Sequence, residues 1–155
     1  MKKFLLLLLL AVSLSAGADS LASIGKARFG ESYDPALEKL KTEFGTPVAV
    51  STDCVTFKAL TYHNVKFSQV EFYFKDKKLN GASFLVAVAN KRLAISKVKQ
   101  IRDNLSTQYD ISQDYDDGAY FYIGGHSPRG IGRLFTISSG KRNGGWFAEL
   151  RYGPF

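Results

Sequence analysis

From Val70 onward the chain alternates. Val70, Phe72 and Phe74 fall on one phase and Glu71, Tyr73 and Lys75 on the other; beyond Lys75-Asp76-Lys77-Lys78, residues Ala82, Phe84, Val86 and Val88 share a phase again. Period-two alternation rich in aromatic and β-branched residues predicts a hairpin over 70–88 whose apolar side is covered. A bare hairpin is marginally stable in water, so the amphipathic segments flanking it are the candidates for that cover. Upstream, Leu37, Leu40 and Phe44 recur at helical spacing among Glu38, Lys39, Lys41 and Glu43. Asp34-Pro35 predicts the helix start, with Asp34 as N-cap, and Gly45 followed by Pro47 predicts its stop. Downstream, Asn90 predicts the cap of a second helix reaching about Gln108, with Ala94, Val98, Ile101 and Leu105 as its apolar stripe.

Further strands are expected at 48–51, 55–62, 65–74, 119–123, 133–138 and 146–152. In the last, Trp146, Ala148, Leu150 and Tyr152 share a phase. Residues 19–30 are small and polar up to Phe29 and Gly30, and read as a loose N-terminus or a short strand. The resulting fold class is α+β: two helices packed on an antiparallel sheet, in an order αββββαβββ that divides into two α-then-β halves. Leu40-Lys41-Thr42-Glu43-Phe44 and Leu105-Ser106-Thr107-Gln108-Tyr109 close the two helices alike, a faint mark of duplication. No linker or shift of composition divides the chain, so 19–155 reads as a single domain.

Residues 1–18 stand apart from this pattern. Lys2 and Lys3 precede the apolar run Phe4 to Leu14, and Ala16-Gly17-Ala18 fits a cleavage site ahead of Asp19, the arrangement of a signal peptide. The run is well short of the ~20 apolar residues a transmembrane helix needs. Export to the periplasm or beyond, without a transmembrane span, is therefore expected. Loss of the two lysines lowers the net charge from +7 to +5, with no acid removed. So diffuse an excess suits anionic surfaces and argues against nucleic acid as the partner. Cys54 is the single cysteine. No intramolecular disulfide is available, and the core, supplied with twelve Phe and eight Tyr, must hold the fold. Beside Val55 and Phe57, Cys54 reads as a buried strand residue.

Candidate chemistry is sparse. Cys54, His63 and His126 supply the only Cys-His material for nucleophilic catalysis and carry no local signature, so no catalytic residue is assigned and both histidines read as turn residues. Asp114-Tyr115-Asp116-Asp117-Gly118 is rich in oxygen but lacks calcium-loop spacing, and reads as an acidic turn before a strand. The histidines and the cysteine show no zinc spacing, so no metal or other cofactor is expected. Glycine-rich stretches 124–132 and 139–145 fail both the Walker and the dinucleotide patterns, and read as hairpin connections. They carry Arg129, Lys141 and Arg142, which on one edge of the sheet would form a basic rim for an acidic partner. Lys91, Arg92, Lys97, Lys99 and Arg102 of the second helix face a single acid, Asp103, and read as a solvated face. Tyr73, on the phase opposite the Phe residues, is an aromatic suited to an interface.

Three stretches resemble a known group. Phe29-Gly30-Glu31-Ser32-Tyr33 with Leu37, Leu40 and Phe44-Gly45-Thr46-Pro47, the hairpin Val70-Glu71-Phe72-Tyr73-Phe74-Lys75-Asp76-Lys77-Lys78-Leu79, and the closing Leu150-Arg151-Tyr152-Gly153-Pro154-Phe155 are similar to small, uncharacterised exported proteins of Bacteroidetes-type bacteria. A helix followed by antiparallel strands also resembles the β-lactamase-inhibitor-protein-like fold, shared with small outer-membrane assembly lipoproteins. The lipidated cysteine of those lipoproteins has no counterpart here. The resemblance implies a protein-binding module rather than an enzyme.

The expected function is that of an exported, non-enzymatic module recognising a protein or cell-envelope component through an exposed sheet face, with Tyr73, His126, Arg129, Lys141 and Arg142 as binding residues. The alternative is a small hydrolase or ligand-binding protein with a pocket between helix and sheet, His126 and Asp116 or Asp117 standing at its mouth.

Overall fold

A computed structural model describes residues 22–116 and 119–155. The expected signal peptide and Asp117 lie outside the described residues. A short hairpin, β1 (Ser23–Ile24) and β2 (Ala27–Arg28), precedes α1 (Tyr33–Phe44). Then come β3 (Ala49–Val50), β4 (Cys54–Tyr62), β5 (Val65–Lys75) and β6 (Lys78–Val88). Helix α2 (Lys91–Leu105) leads β7 (Ile111–Asp116), β8 (Ala119–His126), β9 (Arg133–Arg142) and β10 (Gly145–Tyr152). Strands β3 to β10 form one eight-stranded sheet in the order β3-β4-β5-β6-β10-β9-β8-β7. Every neighbouring pair is antiparallel. Each helix thus leads a four-strand meander, and the two meanders meet at the β6–β10 seam.

The second half holds four strands where three were expected. The segment read as an acidic turn is the edge strand β7, in which Asp114 pairs with Phe121 and Asp116 with Ala119. Ser, Gln and Asp have little intrinsic preference for a strand; pairing with the aromatic β8 imposes it.

Helix α1 also begins earlier than Asp34 suggested. Ser32 is the N-cap, yet its side chain makes no capping bond. The backbone is satisfied otherwise: Ser32 bridges Lys78, and the Tyr33 amide donates to the Lys77 carbonyl at 2.8 Å. Gly45 stops the helix with φ 84°, as its position implied. Asn90 caps α2, its Oδ1 accepting from the Leu93 amide at 3.0 Å. That helix ends at Leu105, before Gln108, because the Gln108 and Tyr109 amides both turn back to the Leu105 carbonyl at 3.0 Å.

Both helices cover the same side of the sheet. Leu37 and Leu40 of α1 and Val98, Ile101 and Leu105 of α2 join Phe57, Phe72, Phe84, Ile137 and Leu150 in one contiguous core. Phe84 lies at its centre, ringed by Phe44, Tyr62, Phe67, Phe72 and Tyr152. Val70, Phe72, Phe74, Ala82, Phe84 and Val86 are all buried, as the alternation required. A bulge between Tyr73 and Phe74 adjusts the register, and the two-residue turn Asp76-Lys77 closes the hairpin with φ of 51° and 58°. Left-handed angles at both turn positions match the strands' twist. Helix α2 packs mainly on β9, β10 and β6, leaving the β7–β8 hairpin to extend past the helix layer. Among the described residues no helix is long and apolar enough to cross a membrane.

Candidate functional site

The side of the sheet away from the helices carries an ordered polar network. Register places Glu71 opposite Ser83 and Ser83 opposite Arg151; in the next row stand Gln69, Leu85 and Glu149. Strand β6 contributes small residues there, because its neighbours come close: a Cβ on Gly81 would lie 2.8 Å from the Tyr152 carbonyl oxygen. Ser83 is fully buried and donates to Glu149 Oε1 at 2.5 Å. Glu71 accepts from Gln69 Nε2 at 2.7 Å on one oxygen and from the Tyr73 hydroxyl on the other.

Arg142 completes the network from a distance. Its Nη1 lies 3.8 Å from Glu71 Oε2, although β6 and β10 separate β9 from β5. Three strand spacings alone put the two backbones roughly 14 Å apart on a flat sheet. Two long side chains reaching across the face span that gap. Phe147 lies across Gly140 on this face, and a Cβ on that glycine would stand 2.9 Å from the ring.

Burial holds two groups of this face protonated. Burial, then the hydrogen bond to Glu71, pushes the Tyr73 phenol up to about 12, so it remains a donor through the neutral range. Cys54 pairs with Tyr73 in register; its thiol is pushed up by burial and has Thr56 Oγ1 at 3.9 Å. A thiol held protonated is a poor nucleophile.

Of the residues singled out in the sequence, Tyr73 and Arg142 converge on Glu71. The single basic rim does not form. Arg129 lies in the β8–β9 connection and Lys141 and Arg142 at the far end of β9, a ten-residue strand that spans roughly 30 Å. A strand that runs the full height of the sheet cannot bring its two connections to one edge. Lys141 instead sits 5.1 Å from the centre of the Trp146 ring. His126 and Asp116 fall at opposite ends of the β7–β8 hairpin, so they share no pocket mouth. His126 lines an open cleft of about 950 Å³ with Tyr109, Asp110, Ser127 and Arg133. Cys54 opens the nine-residue β4 and His63 follows its last residue, in the β4–β5 turn, so the two cannot form a catalytic pair. Among the described residues no group of three potential ligands is placed to hold a metal.

Glu71, Gln69, Ser83 and Glu149 were missed as site residues. Their phase was visible, since each alternates with a buried apolar neighbour. Which of them meet depends on strand order and register. Comparison with known proteins returns no matching family model, curated sequence or solved structure.

Proposed function

We propose that this chain is an exported, non-enzymatic binding module whose open sheet face receives a protein of the cell envelope. The observation that carries this reading is the placement of both helices on one side of the sheet, with the Glu71-Tyr73-Arg142 network ordered on the other. Gln69, Glu71 and Tyr73, already held by mutual hydrogen bonds, lose little further freedom on association, which favours affinity. Tyr and Arg are also the residue types that dominate interface energetics. Export rests on the pattern of residues 1–18. The helix-then-strands unit, present twice, supports the proposed likeness to the β-lactamase-inhibitor-protein-like fold; the likeness to Bacteroidetes-type exported proteins rests on the sequence stretches alone. A hydrolase finds less support, because Cys54, His63 and His126 stand apart.

Photo-crosslinking tests the reading. A crosslinking amino acid replaces Lys58 or Arg151, both exposed on the open face, or Glu38, exposed on α1. The expected result in the native cell is an adduct of one discrete mass from positions 58 and 151 and none from 38. Adducts from 38 alone, or none from the open face, overturn it.

A further inference from the structure

A second surface, on the helix side of the sheet, carries a different chemistry. A groove of about 390 Å³ runs between α2 and the projecting β7–β8 hairpin. Ile95, Val98, Ala119, Tyr120 and Tyr122 make its apolar walls, with Lys91 and Lys99 beside them. The walls are held in place. Arg102 donates to the Tyr122 hydroxyl at 3.2 Å with its guanidinium 5.1 Å from the ring centre, and Tyr115 packs on Tyr120 at 4.8 Å. Tyr120 nevertheless keeps 63% of its surface in solvent, and Ile95 keeps 42%.

The charged side chains lining the groove among the described residues are both lysines. No carboxylate is among the described residues that line it, and neither Lys91 nor Lys99 has an acidic partner among them. The two lysines lie eight residues apart on one helix, about 12 Å along its axis. Past Lys91 the strip continues: its ammonium lies 6.0 Å from the Trp146 ring, with Lys141 5.1 Å from the same ring. Three cations, Lys141, Lys91 and Lys99, thus share this strip with the rings of Trp146, Tyr120 and Tyr122. Gln113 and Ser139 add an amide and a hydroxyl to the lining.

We propose that this strip binds an acidic polysaccharide lying along α2. Its carboxylates sit at the lysines, the apolar face of a sugar ring stacks on the exposed Tyr120, and its hydroxyls bond Gln113 and Ser139. Unpaired ammonium groups attract a polyanion over several ångströms and fix its register only loosely. Aromatic rings, apolar on their faces, supply the contact area. Single-stranded nucleic acid has related needs; the choice of a glycan rests, like the proposed function, on the export read from residues 1–18. This surface is separate from the open sheet face, so crosslinking at positions 58 and 151 and polymer titration at the groove can fail separately, although both proposals share the export reading.

The protein contains one tryptophan, Trp146, which makes it a built-in reporter. The test titrates the intact mature protein with polygalacturonate, reading Trp146 emission together with retardation in a gel containing the polymer. The expected result is a saturable emission change, weakening as salt rises. Lys91→Glu with Lys99→Glu, both exposed, is expected to weaken binding at least about tenfold, and Tyr120→Ala to weaken it at unchanged circular dichroism. Four results overturn the proposal: no retardation, retardation without an emission change, undiminished binding by the double charge reversal, or equal binding of neutral dextran. Tighter binding of single-stranded oligothymidylate also overturns it, in favour of nucleic acid.

Discussion

Gly81 and Ser83 decide what the open face can be, because they leave room on β6 for the larger side chains of β5 and β10. A methyl on Gly81 meets backbone rather than a movable side chain. Gly81→Ala is expected to cost about 1–3 kcal/mol through overpacking, read as a lower urea midpoint at unchanged slope. The tyrosines give a second prediction. Burial pushes Tyr62 and Tyr73 up to about 12, and Tyr152, buried with a hydroxyl that has no hydrogen-bond partner among the described residues, well above the usual phenol range. In the unfolded chain each ionises near ~10. Their contribution to stability is full below that pH and lost as pH rises toward 12, since the unfolded state then sheds protons that the folded state retains. Urea melts from pH 8 upward are expected to show a fall in stability beyond pH 10, and Tyr62→Phe to flatten it. At this scale the sequence showed which face each side chain takes. It did not show that Tyr73 would meet Glu71.

The two helices have similar stripes and different anchors. Asn90 holds α2 with its own side chain, whereas α1 is entered through the Ser32–Lys78 bridge with no side-chain cap. Asn90→Ala is accordingly expected to cost about 1 kcal/mol and Ser32→Ala close to nothing, both measured by thermal melts. Apolar periodicity located both helices and the hairpin around Asp76-Lys77, since that signal depends on backbone geometry over a few residues. Strand β7 lacked it. Ile111-Ser112-Gln113-Asp114-Tyr115-Asp116 has one aliphatic residue, and becomes a strand only because β8 offers it hydrogen bonds. Its acidic side chains suit an edge position, where charge opposes pairing with another sheet.

Across the whole molecule, Phe84 joins the halves. It lies on β6 at the central seam and touches aromatic rings from α1, β4, β5 and β10. Phe84→Ala is expected to cost about 3–5 kcal/mol. In the unaltered protein Trp146 emission and far-ultraviolet circular dichroism should trace one coincident unfolding curve, because the core is contiguous across the seam. A reductant should leave that curve in place, since the single cysteine closes no intramolecular bond.

Local geometry sets the phase of every helix and strand, so the amino-acid order alone determined the buried stripes, the Gly45 stop, the Asn90 cap and the outward side of Tyr73. Pairing between distant strands obeys no such local period. Tertiary structure alone decided that β6 meets β10, that Arg142 reaches Glu71 while Arg129 is carried to the far end of the sheet, and that both helices leave the same face bare.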